Sequence, residues 1–235
     1  MGLDIGSLDF LMRHRNKVKG ECLQLGRQGM HLVPPFSVYE DARKIFNKYD
    51  DSPFENVIDT NGHTEKLFTY LGATAVESMD YSPYEQATII HDLNIPITDD
   101  LENRFDFIYD GGTIEHVFDI KMVFDNIKRM LKVGGTFMSV NCGNNFCGHG
   151  FYQFSPELYR SVFSKEAGYN LFSLQLMNVG PNPEAVDVPN NRGMRQEIST
   201  ANIPIYICAA AEKLEEKNAT QNIQQSDYVT IWGGL

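Results

Sequence analysis

Short runs rich in β-branched and aromatic residues alternate with stretches of helical periodicity along most of this chain, without any internal repeat. That alternation is the pattern of a parallel sheet built from βαβ units. Candidate strands are 21–25, 75–79, 88–92, 105–109 and 135–140, followed by 172–177 and 203–210. No helical pattern separates the last two, so they are expected to pair antiparallel at one edge of the sheet. The strongest helix signal lies between the fourth and fifth runs. There Ile120, Val123, Phe124, Ile127, Met130 and Leu131 share one face, Lys128, Arg129 and Lys132 load the C-terminal turn, and Gly134 and Gly135 act as the stop. Further helices are expected at 38–48, at 64–71 with Gly72 behind it, and at 156–163 with Ser155 as N-cap and Pro156 at the first position. Ser82-Pro-Tyr-Glu85 has the capping-box pattern of a helix of a turn or two.

The 235 residues suit one α/β domain, and 1–235 is read as such. It carries a long loop at 180–202 and a polar tail from 212, whose aromatic end at Tyr228 to Trp232 is expected to dock back on the domain. Lysine and arginine total 20 against 31 aspartates and glutamates, a net charge of −11 that argues against binding to nucleic acid or an anionic membrane. The longest apolar run, 203–211, contains Pro204 and is too short to span a bilayer. Cys22, Cys142, Cys147 and Cys208 do not form a disulfide framework, so a reduced, cytoplasmic protein is expected, with Asn218-Ala-Thr220 a chance glycosylation match.

The chemistry concentrates at the strand ends. A glycine turn, Gly26-Arg27-Gln28-Gly29, follows the first strand, and the second ends in Asp80-Tyr81, a carboxylate placed to accept bonds from two ribose hydroxyls. The third ends in His91-Asp92-Leu93, and the fourth in Asp110-Gly111-Gly-Thr-Ile-Glu115-His116. The fifth runs into a Gly- and Asn-rich loop, 141–152, that carries Cys142, Cys147, His149 and Tyr152. A glycine turn followed by successive strand-end carboxylates is the layout for an adenosine laid across a sheet edge. Cys142, Cys147 and His149 in one loop fall short of a zinc pattern, so no metal is expected.

From about Gly20 to Tyr169 the sequence resembles the class I S-adenosylmethionine-dependent methyltransferases. The likeness rests chiefly on Phe105-Asp-Phe-Ile-Tyr-Asp-Gly-Gly-Thr-Ile-Glu-His-Val117 and Leu131-Lys-Val-Gly-Gly-Thr-Phe137, with Val133 where that family has proline. Residues 148–157 resemble a subgroup of methyltransferase-like proteins. The resemblance implies a doubly wound, mostly parallel seven-stranded α/β sheet (a Rossmann-like methyltransferase fold) with the last strand antiparallel. It implies S-adenosylmethionine as cofactor and S-adenosylhomocysteine as product. Gly26, Arg27, Gln28, Asp80, Tyr81, Asp92, Leu93, Asp110 and Gly111 would form the cofactor site, with Asp80 on the ribose and Asp92 at the adenine. His149, His116 and Tyr152 are the candidates, in that order, for the base that a hydroxyl or protonated amine acceptor requires.

One departure stands out: the family's acidic residue and Gly-x-Gly-x-Gly are here Gln24 and Gly26, Gln28 and Met30. The leading reading is methyl transfer to a small molecule or sugar. The departure motivates a second, a catalytically silent relative that binds a nucleoside or a protein partner. Fold analogy alone supplies a third, a nucleotide-dependent sugar-modifying enzyme or a nicotinamide oxidoreductase, weakened by the lack of G-x-G-x-x-G.

Overall fold

A computed structural model describes residues 2–33, 38–190, 193–195, 197–217 and 223–233. Its centre is an eight-stranded sheet in the order β5-β4-β2-β6-β7-β10-β8-β9. The strands are β2 (Gly20–Leu25), β4 (Ala73–Asp80), β5 (Ile89–Ile90), β6 (Phe105–Asp110), β7 (Leu131–Asn144), β8 (Tyr169–Asn178), β9 (Ala185–Asp187) and β10 (Ile205–Lys213). From β5 through β7 every pairing is parallel, and β10 runs antiparallel to both β7 and β8. A two-stranded sheet pairs β1 (Gly2–Leu3) with β3 (Gly29–Met30).

Helices cover both faces, because alternate residues of the central strands are apolar on both sides. In β6, Ile108 packs on the face covered by α4 (Ile120–Met130) and α5 (Pro156–Val162), with Phe124, Ile127, Phe137 and Phe163. Phe107 and Tyr109 pack on the other face against α1 (Ile5–Arg13), α2 (Tyr39–Asn47) and α3 (Glu65–Leu71), with Phe10, Phe46 and Phe68. Each such buried aromatic contributes about 1.5–3 kcal/mol over its exposed state.

The seven expected strands are present, with several differences of detail. The last two do pair antiparallel, but β10 lies between β7 and β8, and the edge belongs to the short β9 inside the expected 180–202 loop. The helix between the fourth and fifth strands stops at Met130, before its glycines. Leu131 is already extended and pairs with Phe105, and Lys132 is a strand residue bound to Asp106 at 2.9 Å. Ser82-Pro-Tyr-Glu85 forms only a turn, in which Asp80 Oδ1 accepts from the Ser82 amide at 3.3 Å. Helix α1 lacks a polar stripe, since Ile5 through Met12 are all buried, and so offered no amphipathic signal.

The tail does form a helix, α6 (Ser226–Gly233), but it docks through its polar first turn. The Ser226 amide donates to Glu157 and Arg195 pairs with Asp227, while Tyr228 and Trp232 stack on one another and stay half-exposed. All four cysteines are free, with Cys147 the exposed one. Among the described residues no helix is long and apolar enough to cross a membrane. The Asn218 sequon lies outside the described residues.

Candidate functional site

The parallel strands β2, β4, β6 and β7 end at one edge of the sheet, the edge at which open α/β sheets bind ligands. At the tip of β2 the chain turns at Gly26, whose φ of +69° is open to glycine at little cost. Its amide ties the turn to β4 through Met79 O at 2.7 Å. The chain then passes Arg27 and Gln28 and leaves the edge for β3 and α2. It comes back at Thr64, whose amide donates to Gln28 O at 3.1 Å and which opens α3. The glycine motif is therefore not contiguous: residues 29–63 are spliced into it, with Gly29 and His63 bridging the neck.

This splice explains the departure noted in the sequence. Gln24 spans the gap from the strand side, donating to Thr64 Oγ1 at 2.9 Å and accepting from the Gln28 amide at 3.3 Å. It fastens both halves of the interrupted turn. Gln28 does not project from the turn; it is buried and donates to Leu25 O at 2.6 Å. Its Oε1 is a buried acceptor with no partner, lying so close to Gly111 that a Cβ there would meet it at 2.5 Å. Arg27 binds Glu65 at 2.7 Å and donates to Glu85 O at 3.0 Å, so its charge is already matched.

Asp80 ends β4, and its carboxylate accepts the local bond from the Ser82 amide at 3.3 Å. Tyr81 beside it is 75% exposed, enough to leave its ring available as a lid over a planar ligand. Asp92 Oδ1 accepts from both nitrogens of Asn94, at 2.9 and 2.8 Å. Asn94 in turn accepts from the Asp119 amide at the head of α4 at 2.9 Å, and Leu93 is buried with its carbonyl bound by Asn126. The third strand end is thus fixed to α4 before any ligand arrives.

Behind the loop after β6 lies a buried acid pair. Asp110 accepts from the Thr113 amide at 2.9 Å and from Asn141 Nδ2 at 2.7 Å; Glu115 accepts from the same Nδ2 at 2.9 Å. Tyr159 completes the chain, donating to Asn141 Oδ1 at 2.6 Å. Burial, and then the neighbouring Glu115 charge, push the Asp110 carboxyl up to about 7. Glu115 Oε1 also receives the Cys142 thiol at 3.5 Å, and burial raises that thiol well above its usual range.

His149 stands over this pair. Its Nε2 is 3.9 Å from Glu115 Oε1, the imidazole half-exposed and the carboxylate buried. The ring meets His116 edge to face at 4.8 Å, and the Phe146 ring lies tilted to it at 5.9 Å. Burial lowers His116, keeping it neutral. Tyr152 has its hydroxyl committed to Phe118 O at 2.6 Å. Gly150, at φ +67°, lets the loop pass against Glu115, whose carbonyl takes the Phe151 amide at 2.7 Å. Ligand-type atoms of Glu115, Cys142 and His149 lie within 4.8 Å of one another, whereas Cys147 is apart from them. Both oxygens of that carboxylate already accept protein hydrogen bonds.

The structure thus gathers His149, His116, Asp110 and Gly111 at the ends of β6 and β7, and Gly26, Gln28, Asp80 and Asp92 along β2, β4 and β5. Sequence reasoning passed over Asn141, Tyr159 and Thr64. Asn141 alone carried a signal, as the last buried polar residue of β7, beside the acidic turn after β6.

Residues 63–139, about a third of the chain, match the family model described as "Methyltransferase domain". That match begins at the splice just described. No curated protein matches the chain. Among solved structures, 1,6-didemethyltoxoflavin-N1-methyltransferase from Burkholderia thailandensis, with bound 1,6-didemethyltoxoflavin and S-adenosylhomocysteine, superposes with a TM-score of 0.50. Identity is 12%, over 90% of this chain and 78% of that one. An S-adenosylmethionine-dependent methyltransferase from Mesorhizobium loti gives 0.49 at 11% identity, over 86% and 95%.

Proposed function

We propose that this chain, a class I S-adenosylmethionine-dependent methyltransferase in fold and in its central segment, transfers a methyl group to a small-molecule or sugar acceptor seated beside His149. The observation that carries the reading is the convergence, on one sheet edge, of the turn at Gly26, the strand-end carboxylates Asp80 and Asp92, and the buried pair Asp110 and Glu115 under His149.

The residues fit the cofactor at three points. Asp80 has carboxylate capacity left over from its one local bond, which suits two ribose hydroxyls. Asp92 and Leu93 are held at the third strand end, where an adenine edge would lie. The orphaned Gln28 Oε1 beside Gly111 is an acceptor suited to the cofactor's ammonium group. When bound, the cofactor supplies an electrophilic methyl group. The chain's own part is to hold the acceptor in line with it, an effect worth up to roughly 7–11 kcal/mol.

His149 is the base in this reading. Half-exposed, it can reach an acceptor, and Glu115 behind it stabilises the imidazolium that forms on taking a proton. His116 packs against it as a neutral ring and positions it. Tyr152 serves the loop, since its hydroxyl proton is bound to Phe118 O. The exposed Phe118 and Phe151, in edge-to-face contact at 5.7 Å, offer an apolar rim for a small acceptor. The net charge of −11 favours such an acceptor over nucleic acid, and the free cysteines suit a reducing, cytoplasmic setting.

The packing of Gln28 into the space beside Gly111 favours a second reading, a silent relative that has lost its cofactor. Thermal unfolding with S-adenosylmethionine and S-adenosylhomocysteine, against NAD and a nucleotide sugar as controls, separates the two. Saturation near one hundred times the dissociation constant stabilises by about 2.7 kcal/mol, a shift of roughly 5–10 °C for a domain this size. A shift with the adenosyl ligands alone supports transfer; no shift at millimolar ligand leaves the silent reading.

A further inference from the structure

At the opposite end of the sheet, where β7 and β8 begin and β10 ends, a cavity of about 290 Å³ opens along α4. Its lining includes Lys121, Lys128, Arg129, Lys213 and Lys217 against two carboxylates, Asp125 and Glu216, a local excess of cations on a chain of net charge −11. Most of these cations are matched. Lys121 pairs with Asp125 at 2.7 Å, Arg129 with Glu102 at 2.5 Å and Lys217 with Glu215 at 2.6 Å. Lys213, itself buried, donates to Lys128 O and Leu131 O at 2.7 Å each and pairs with Glu216.

Lys128 is different. It is 7% exposed, its Nζ has no hydrogen-bond partner, and it lies 5.6 Å from the centroid of the Tyr169 ring, with Asp125 the acid whose charge acts on it. Tyr169 is 1% exposed and its hydroxyl is also without a partner. Two donors withdrawn from water and left unpaired beside the same cavity are unfavourable unless something in it accepts from them. Lys213 already neutralises the carbonyls that end α4, so the helix terminus does not supply that acceptor.

We propose that this cavity binds a phosphate group, as the free ion or as the ester of a small molecule, with the Lys128 ammonium and the Tyr169 hydroxyl as its buried donors. A tetrahedral oxyanion accepts from both at once, and 290 Å³ leaves room for a small organic group behind it. Burial brings Lys128 down to about 8, which leaves it protonated at neutral pH and so able to hold an anion. The site lies away from the Gly26 and His149 edge and is independent of the methyl-transfer reading.

The test is thermal unfolding at pH 7 in potassium chloride, potassium phosphate and glycerol 3-phosphate at matched ionic strength, on the wild type, Lys128→Met and Tyr169→Phe. The wild type should rise by about 5 °C at saturation. Lys128→Met should lose the shift and Tyr169→Phe should reduce it. Because Lys128→Met removes an unpaired buried charge, its melting temperature in chloride should equal or exceed that of the wild type. A shift with inorganic phosphate assigns the free ion, and one with glycerol 3-phosphate alone assigns an ester. No shift of the wild type with either probe, or a full shift retained in Lys128→Met, overturns the proposal. Shifts with S-adenosylhomocysteine should be unchanged in both variants, so this site and the methyl-transfer reading succeed or fail separately.

Discussion

The carboxyl groups of Asp110 and Glu115 share one side-chain amide, Asn141 Nδ2, at 2.7 and 2.9 Å. Two buried acids with a single common donor between them cannot both carry full charge cheaply, and burial together with the Glu115 charge raises Asp110 from its usual 3.8 to about 7.

A pH dependence follows from that shift. The folded chain holds the Asp110 proton more tightly than the unfolded one, so the stability this group contributes is complete below pH 3.8 and is lost as pH rises to about 7. Between pH 5 and pH 7.5 the wild type should lose on the order of 1–3 kcal/mol more than Asp110→Asn does. Urea denaturation of both proteins at the two pH values measures it, and parallel slopes would refute it.

Tyr159→Phe deletes the hydroxyl that fixes Asn141 and leaves a buried amide oxygen unpaired. The expected cost is about 1–3 kcal/mol of stability, read by denaturant unfolding.

Gly150→Ala places a Cβ 2.7 Å from the Glu115 carbonyl at a φ of +67°. The loop must move, taking His149 off Glu115. Turnover should fall by at least about tenfold while global stability drops by only about 1–2 kcal/mol.

Asp80→Ala removes a strand-end carboxylate that supports only one local turn. Affinity for S-adenosylhomocysteine, measured by calorimetry, should fall about 10- to 100-fold with the melting temperature of the free protein nearly unchanged.

His149→Ala should leave S-adenosylhomocysteine binding intact and lower kcat for a hydroxyl acceptor by about 10²- to 10⁴-fold. Unaltered kcat with such an acceptor would assign the base elsewhere.

Much of this was legible in the sequence, for identifiable reasons. The alternation of strand and helix patterns gave the sheet, and Asp80, Asp92 and Asp110 announced themselves as acids at the ends of apolar runs. The glycine motif misled because motifs are read as contiguous text. Gln28 and Thr64 are neighbours in space but 36 positions apart, and no local pattern joins them. Helix α1 was silent because burial on all sides erases the polar stripe. The α4 boundary shifted because pairing of Leu131 with Phe105 outweighed the glycine stop. Asn141 and Tyr159 were missed since a hydrogen-bond chain across 18 residues leaves no spacing rule.

The position of β10 bears on how the chain is made. Because β10 fills the gap between β7 and β8, the sheet cannot close while the chain is still on the ribosome short of Lys213. Until then β7 and β8 each present an unpaired edge, and the nascent chain carries two templates for wrong pairing with its neighbours. Late insertion of a strand into an almost finished sheet is slow, since loop-closure entropy is spent before the contacts form. Its biogenesis, more than its resting stability, is therefore the step most exposed to aggregation.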